Sequence, residues 1–114
     1  MAAIAADMTD CIIALTTWPD EAGAQAFAHH LLQNRLAACV NTLPAMTSHY
    51  VWQGQVNTET EHQLVIKTSV ARQGDIETAL RQQHPYELAE FLILPVSSGS
   101  RAFLQWINET THVD

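Results

Sequence analysis

Tyr50-Val51-Trp52-Gln53-Gly54-Gln55-Val56 reverses the chain between two long extended arms, Ala38 to Val51 and Val56 to Ser69. Gly54 is free to take positive φ, so Trp52-Gln53-Gly54-Gln55 reads as a tight hairpin turn. Each arm is about a dozen residues, roughly twice the usual strand length. Pro44 interrupts the first arm and cannot donate to a ladder, which demands an edge, a bulge or a bend there. The second arm ends in the apolar run Leu64-Val65-Ile66-Lys67-Thr68. Arms of this length overhang a small sheet, and their unpaired backbone groups favour pairing with another protomer.

Working outward, Cys11-Ile12-Ile13-Ala14-Leu15 is a continuous apolar, β-branched run, the pattern of a strand buried on both faces. Thr16-Thr17-Trp18-Pro19-Asp20 breaks it, and Asp20 can cap a helix. Ala24, Phe27, Ala28, Leu31 and Leu32 then fall at helical spacing. A second helix is expected over Ala71 to His84, ended by Pro85, with Ile76, Ala79 and Leu80 facing the core. Glu90 to Val96 reads as a buried strand, and Ser97-Ser98-Gly99-Ser100 as a turn before a last short helix carrying Phe103, Trp106 and Ile107.

The order β-α-β-β-α-β-α is the split βαβ arrangement with one added helix, an α+β fold of ferredoxin-like topology. Both main helices are expected on one face of a four-stranded antiparallel sheet. The 114 residues suit one domain spanning 1–114, with 1–9 and 109–114 expected to fray.

Composition narrows the function. Twelve acidic and five basic residues give a formal charge of −7, the wrong sign for a nucleic-acid binder, and Arg35, Lys67, Arg72, Arg81 and Arg101 are scattered. No stretch is long and apolar enough to span a bilayer, and Met1 to Asp10 carries no basic residue, so a cytoplasmic location is expected. Cys11 and Cys39 lie in apolar surroundings and read as reduced core residues, with no CxxC pair. GxSxG, HExxH, P-loop and GxGxxG patterns are all missing, and no enzymatic activity is expected.

His29 and His30 are about 100° apart on a helix and diverge. His49 and His62 sit on opposite hairpin arms at registers that do not meet, His49 pairing near Thr58 and His62 near Ala45. Lys67 is the sole lysine, in an otherwise apolar strand, and needs a carboxylate or water. Glu61, Glu87 and Glu90 are the available acids. Trp52, Lys67, Tyr86, Glu87, His84 and Glu90 therefore read as a constellation with two uses. One is a satisfied interface network. The other is a ligand cleft between subunits, with Lys67 for an anion and His84 and Glu90 for a metal or proton.

Several segments resemble the CutA divalent-cation (copper) tolerance family: Pro19-Asp20-Glu21-Ala22, Leu36-Ala37-Ala38-Cys39-Val40-Asn41, Tyr50-Val51-Trp52-Gln53-Gly54 and Ile66-Lys67-Thr68. His84-Pro85-Tyr86-Glu87, Glu90, Leu94-Pro95-Val96, Gly99, Phe103 and Trp106-Ile107 continue the likeness in order, over roughly residues 10 to 108. The resemblance implies a homotrimer in which hairpins extend neighbouring sheets, a fold shared with PII-type signalling proteins, and divalent-metal binding in some members. It also implies a copper site built from a cysteine at the end of the first strand and a His-His pair before Pro-Tyr. Those positions here hold Thr16, Gln83 and His84. Soft thiolate and imidazole suit copper, whereas a threonine and an amide do not. The expectation is therefore weak copper or other divalent-cation binding through His84, Cys39 and Glu90. Two other functions compatible with the residues are a PII-like module binding a small anionic ligand at the subunit interface and a structural trimer organising a partner protein.

Overall fold

The computed structural model describes residues 9–112. Along the chain run β1 (Cys11–Trp18), α1 (Glu21–Gln33), β2 (Cys39–Thr42), β3 (Met46–Trp52), β4 (Gln55–Ser69), a 3-10 turn (Val70–Arg72), α2 (Gln73–Gln83), β5 (Leu92–Pro95) and α3 (Arg101–Thr110). The fold is α+β, with an antiparallel sheet in the spatial order β2-β4-β1-β5 and β3 also paired to β4.

The sheet has five strands rather than the expected four because the first hairpin arm is two strands. Pro44 falls in the gap between β2 and β3, where its missing N–H breaks the ladder. β2 then pairs with the C-terminal half of β4 (Cys39 opposite Lys67) and β3 with its N-terminal half (Met46 opposite Glu61). The turn is the expected one. Gln53 and Gly54 both take positive φ, 51° and 76°, the requirement of a two-residue turn matched to strand twist.

Register assigns the faces. Ala14, Leu64 and Ile66 meet Ala24, Phe27 and Leu31 of α1 and Ile76, Ala79 and Leu80 of α2 in the main core. Both helices thus cover one face. Leu32, expected on the apolar stripe of α1, is 39% exposed. Asp20 caps α1 by accepting the Gly23 N–H at 2.7 Å. At the other end, Leu36 N–H bonds Leu31 O and Arg35 N–H bonds Leu32 O, a Schellman stop with Arg35 at φ 58°. The second helix begins two residues later than expected, after the 3-10 turn, and His84 caps it in an extended conformation ahead of Pro85.

The opposite face is mostly uncovered. α3 packs on one corner only, with Ile107 and Leu104 against Cys11, Ala38 and Val96. Ile13, Leu15, Val65 and Lys67 are half-buried there, and β5 is not the buried strand expected, since Leu92 is 55% and Leu94 47% exposed. A strand reads as buried on both faces only if both faces are covered, and one chain supplies helices for one.

At the C-terminal end, where the sequence reading expects fraying from residue 109, the helix runs to Thr110 and Thr111 closes it. Arg35 Nε and Nη2 donate to the carbonyls of Thr110 and Glu109, and Arg72 Nε to that of Thr111. Two guanidinium groups thus satisfy the last carbonyls of α3, where cations are favoured. Thr111 is fully buried and its hydroxyl donates to Ile107 O or Ser69 Oγ. Residues 1–8 and 113–114 of the expected frayed ends lie outside the described residues; Thr9 lies within them, and its hydroxyl donates to Val96 O.

Thr16 carries an unmatched group: its hydroxyl is fully buried and has no hydrogen-bond partner among the described residues. Valine has the same shape without the hydroxyl, so Thr16→Val is expected to stabilise the protein by about 1 kcal/mol. Thermal denaturation measures this, and a lower melting temperature for the variant would refute it.

Candidate functional site

β4 is longer than its neighbour β1. Their pairing runs from Trp18 opposite His62 to Cys11 opposite Ser69, leaving Gln55–Glu61 with β3 on one edge and no strand on the other among the described residues. Past the end of β1, the segment from His84 to Glu90 faces this overhang. Between them lies a cleft of about 730 Å³. Its lining includes Tyr50, Trp52, Glu61, Tyr86, Glu87 and Glu90.

His84 anchors the segment. Its Nδ1 accepts the Tyr86 backbone N–H at 2.9 Å, and its Nε2 donates to Thr17 O at 2.6 Å. A carbonyl can only accept and an amide N–H can only donate, so the neutral Nε2–H tautomer is fixed. The ring also packs on Trp18, centroids 4.4 Å apart, and on Tyr86 at 5.0 Å. Both nitrogens are therefore engaged by backbone, and neither offers a free lone pair.

Glu61 forms the floor. It is 7% exposed and its carboxylate accepts from the Thr17 hydroxyl at 3.2 Å and from the Tyr86 hydroxyl. Gln63 Nε2 bridges Thr16 O and the Glu90 carboxylate at 2.7 and 2.8 Å. Among the described residues no lysine or arginine lines the cleft, so its carboxylates have neutral hydrogen-bond donors but no such cation beside them. Burial raises the Tyr86 phenol above its ordinary value, and the Glu61 charge and its hydrogen bond push it the same way. A phenol that holds its proton more tightly when folded stabilises the fold below its unfolded pKa of about 10, and that contribution is lost as pH rises through the folded value. Comparing melting temperatures of wild type and Tyr86→Phe should show a constant gap up to about pH 9 that narrows at higher pH. A gap that stays constant to pH 11 would count against the bond.

The expected constellation is split. Trp52, Tyr86, Glu87 and Glu90 line the cleft, and Lys67 does not. It stands on the uncovered face opposite Ile13 and Cys39, six residues along β4 from Glu61. Cys39 is half-buried and free, with Asn41 Oδ1 at 3.9 Å from its sulfur. Cys39, at the Lys67 end of the sheet, and Glu90, bonded to Gln63, are thus apart within one chain, and His84 is committed to backbone. Among the described residues no three His, Cys, Asp or Glu side chains converge as a metal site. Thr17, Gln63 and Tyr50 went unrecognised in the sequence. Alternation offered a signal, since Glu61, Gln63, Val65 and Lys67 must share a face of β4.

Residues 12–110 match the family described as CutA1 divalent ion tolerance protein. The chain belongs to the CutA1 family. It is 45% identical over 101 residues to the divalent-cation tolerance protein CutA of Pectobacterium atrosepticum, covering 89% of this chain and 92% of that one. The crystal structure of CutA from Xylella fastidiosa superposes with a TM-score of 0.87 at 40% identity, covering 90% of this chain and 99% of that one. A CutA from Archaeoglobus fulgidus described as a periplasmic divalent cation tolerance protein superposes with a TM-score of 0.86 at 28% identity, covering 90% and 99% of the two chains. No helix among the described residues is long and apolar enough to cross a membrane.

Proposed function

We propose that this CutA1 protein acts as a homotrimer in divalent-cation tolerance and holds copper or another divalent ion weakly. The observation that carries the reading is the state of His84. With both ring nitrogens bonded to backbone, an ion must displace a structural hydrogen bond before it gains a ligand. Thr16 and Gln83 add no soft donor, and Cys39 stands apart from His84 and Glu90. Titrating metal-free protein with copper or zinc in a calorimeter is expected to give dissociation constants of roughly 10–100 μM, about −5.5 to −7 kcal/mol. Submicromolar binding would contradict the weak site, and no heat at millimolar metal would contradict metal binding.

The trimer is supported by two features: the unpaired edge of β4 at Gln55–Glu61, and the uncovered face with Leu92 and Leu94. Such an edge and face are what a neighbouring copy would pair with and bury. Sedimentation is expected to give three times 12.6 kDa. The cytoplasm suits two free thiols, Cys11 and Cys39. A PII-like anion site is less well supported, because the cleft presents Glu61, Glu87 and Glu90 with no lysine or arginine among the described residues that line it.

A further inference from the structure

Two charges on the uncovered sheet face are left without counter-ions. The Lys67 ammonium has no carboxylate at ion-pair distance among the described residues, where the ion pairs are Arg72–Asp75 and Arg81–Glu77. Glu61, almost fully buried, is held among the described residues by the neutral hydroxyls of Thr17 and Tyr86. A desolvated carboxylate with no cation is an unfavourable arrangement unless a partner supplies one.

These two groups cannot satisfy each other within one chain. The register is unbroken from Gln55 to Ser69, so Glu61 and Lys67 point to the same face, but six residues of strand separate them by about 20 Å. Around Lys67 the face is apolar, with Ile13 opposite it and Leu94 beyond Ile13. Around Glu61 lies the open cleft. One chain therefore carries a cation on an apolar surface at one end of the face and an acid-floored cavity at the other.

We propose that Lys67 of one copy enters the cleft of the next and pairs with its Glu61. This rests on the homotrimer reading above and names the contact that orients it. The two patches differ, so the contact is heterologous: each copy donates its lysine to one neighbour and receives a lysine from the other. Such contacts close into a ring when the rotation permits, which a three-fold assembly satisfies.

Lys67 is the only lysine of the chain, so it carries the only side-chain amine open to zero-length carbodiimide coupling. Treating the intact protein should join Lys67 to Glu61 by an amide, with loss of water, in covalent dimers and trimers identified by peptide mass spectrometry. Lys67→Arg keeps the charge and the assembly but removes the acylable amine, so the cross-link should vanish while sedimentation is unchanged. Independently, Lys67→Met and Glu61→Gln should each weaken the trimer at least tenfold on dilution, and the double variant should be no weaker than the worse single one. Independent, multiplying effects in a protein that still assembles would overturn the pair and leave the trimer standing. A wild type that sediments as a monomer would overturn both.

Discussion

Replacing His84 with alanine is expected to destabilise the metal-free protein by about 2–4 kcal/mol, one of the largest losses from a single polar site in this chain. The substitution strips the acceptor from the Tyr86 N–H and the donor from Thr17 O, bonds of 2.9 and 2.6 Å. Thr17 is buried, so its carbonyl side of the exchange has little access to water. The same change removes the ring that packs between Trp18 and Tyr86. Leaving a buried backbone group unmatched costs about 1–3 kcal/mol, and the lost ring packing adds to it. The measurement is thermal or denaturant unfolding in the presence of a chelator. If His84 served only to bind a metal, the chelated protein would be indifferent to the change, and an unaltered melting temperature would show it.

Gly23→Ala should also lower the melting temperature, although alanine is the better helix former by about 1 kcal/mol. A Cβ at this position would lie 2.5 Å from Trp18 Cδ1 and closer still to its Nε1. The indole cannot retreat. It is 5% exposed, stacked on Phe27 with centroids 4.9 Å apart, and backed by His84. Overpacking of this kind costs about 1–3 kcal/mol and exceeds the propensity gain. For a domain of this size a net loss of about 1 kcal/mol moves the melting point by about 4–8 °C. Gly74→Ala is the control, because a Cβ there would meet nothing within 4 Å, so only the helix-propensity gain remains. Equal shifts for the two variants would contradict the packing argument.

Both predictions turn on Trp18, and its position shows how legibility varied along the chain. The helical spacing of Ala24, Phe27 and Leu31 and the cap at Asp20 were readable because they follow from local periodicity and hydrogen bonding. The hairpin turn was readable for the same reason. The Trp18–His84 contact was not, because it joins residues 66 apart in sequence, and nothing in either local pattern names the other. β5 misled in a different way. A run such as Phe91-Leu92-Ile93-Leu94 records that both faces avoid water somewhere, and cannot say whether this chain or another covers them. The candidate site depended most on tertiary arrangement. Trp52, Tyr86, Glu87 and Glu90 line the cleft of one chain, whereas Lys67, read together with them, stands on β4 outside it, and local pattern says nothing of which copy's lysine faces which copy's cleft.

By itself the sequence determined the α+β class, the order of the elements, the overlong hairpin and the family to which the chain belongs. Those features rest on period, turn chemistry and segment order, all properties of short stretches of chain. Only the tertiary structure decided that Pro44 splits an arm into two strands, that Arg35 and Arg72 hold the end of α3, that His84 spends both nitrogens on backbone, and that Lys67 and Glu61 are left apart. The reason is physical: a hydrogen bond, a counter-ion or a covered face depends on which distant residue arrives, and arrival is settled by packing.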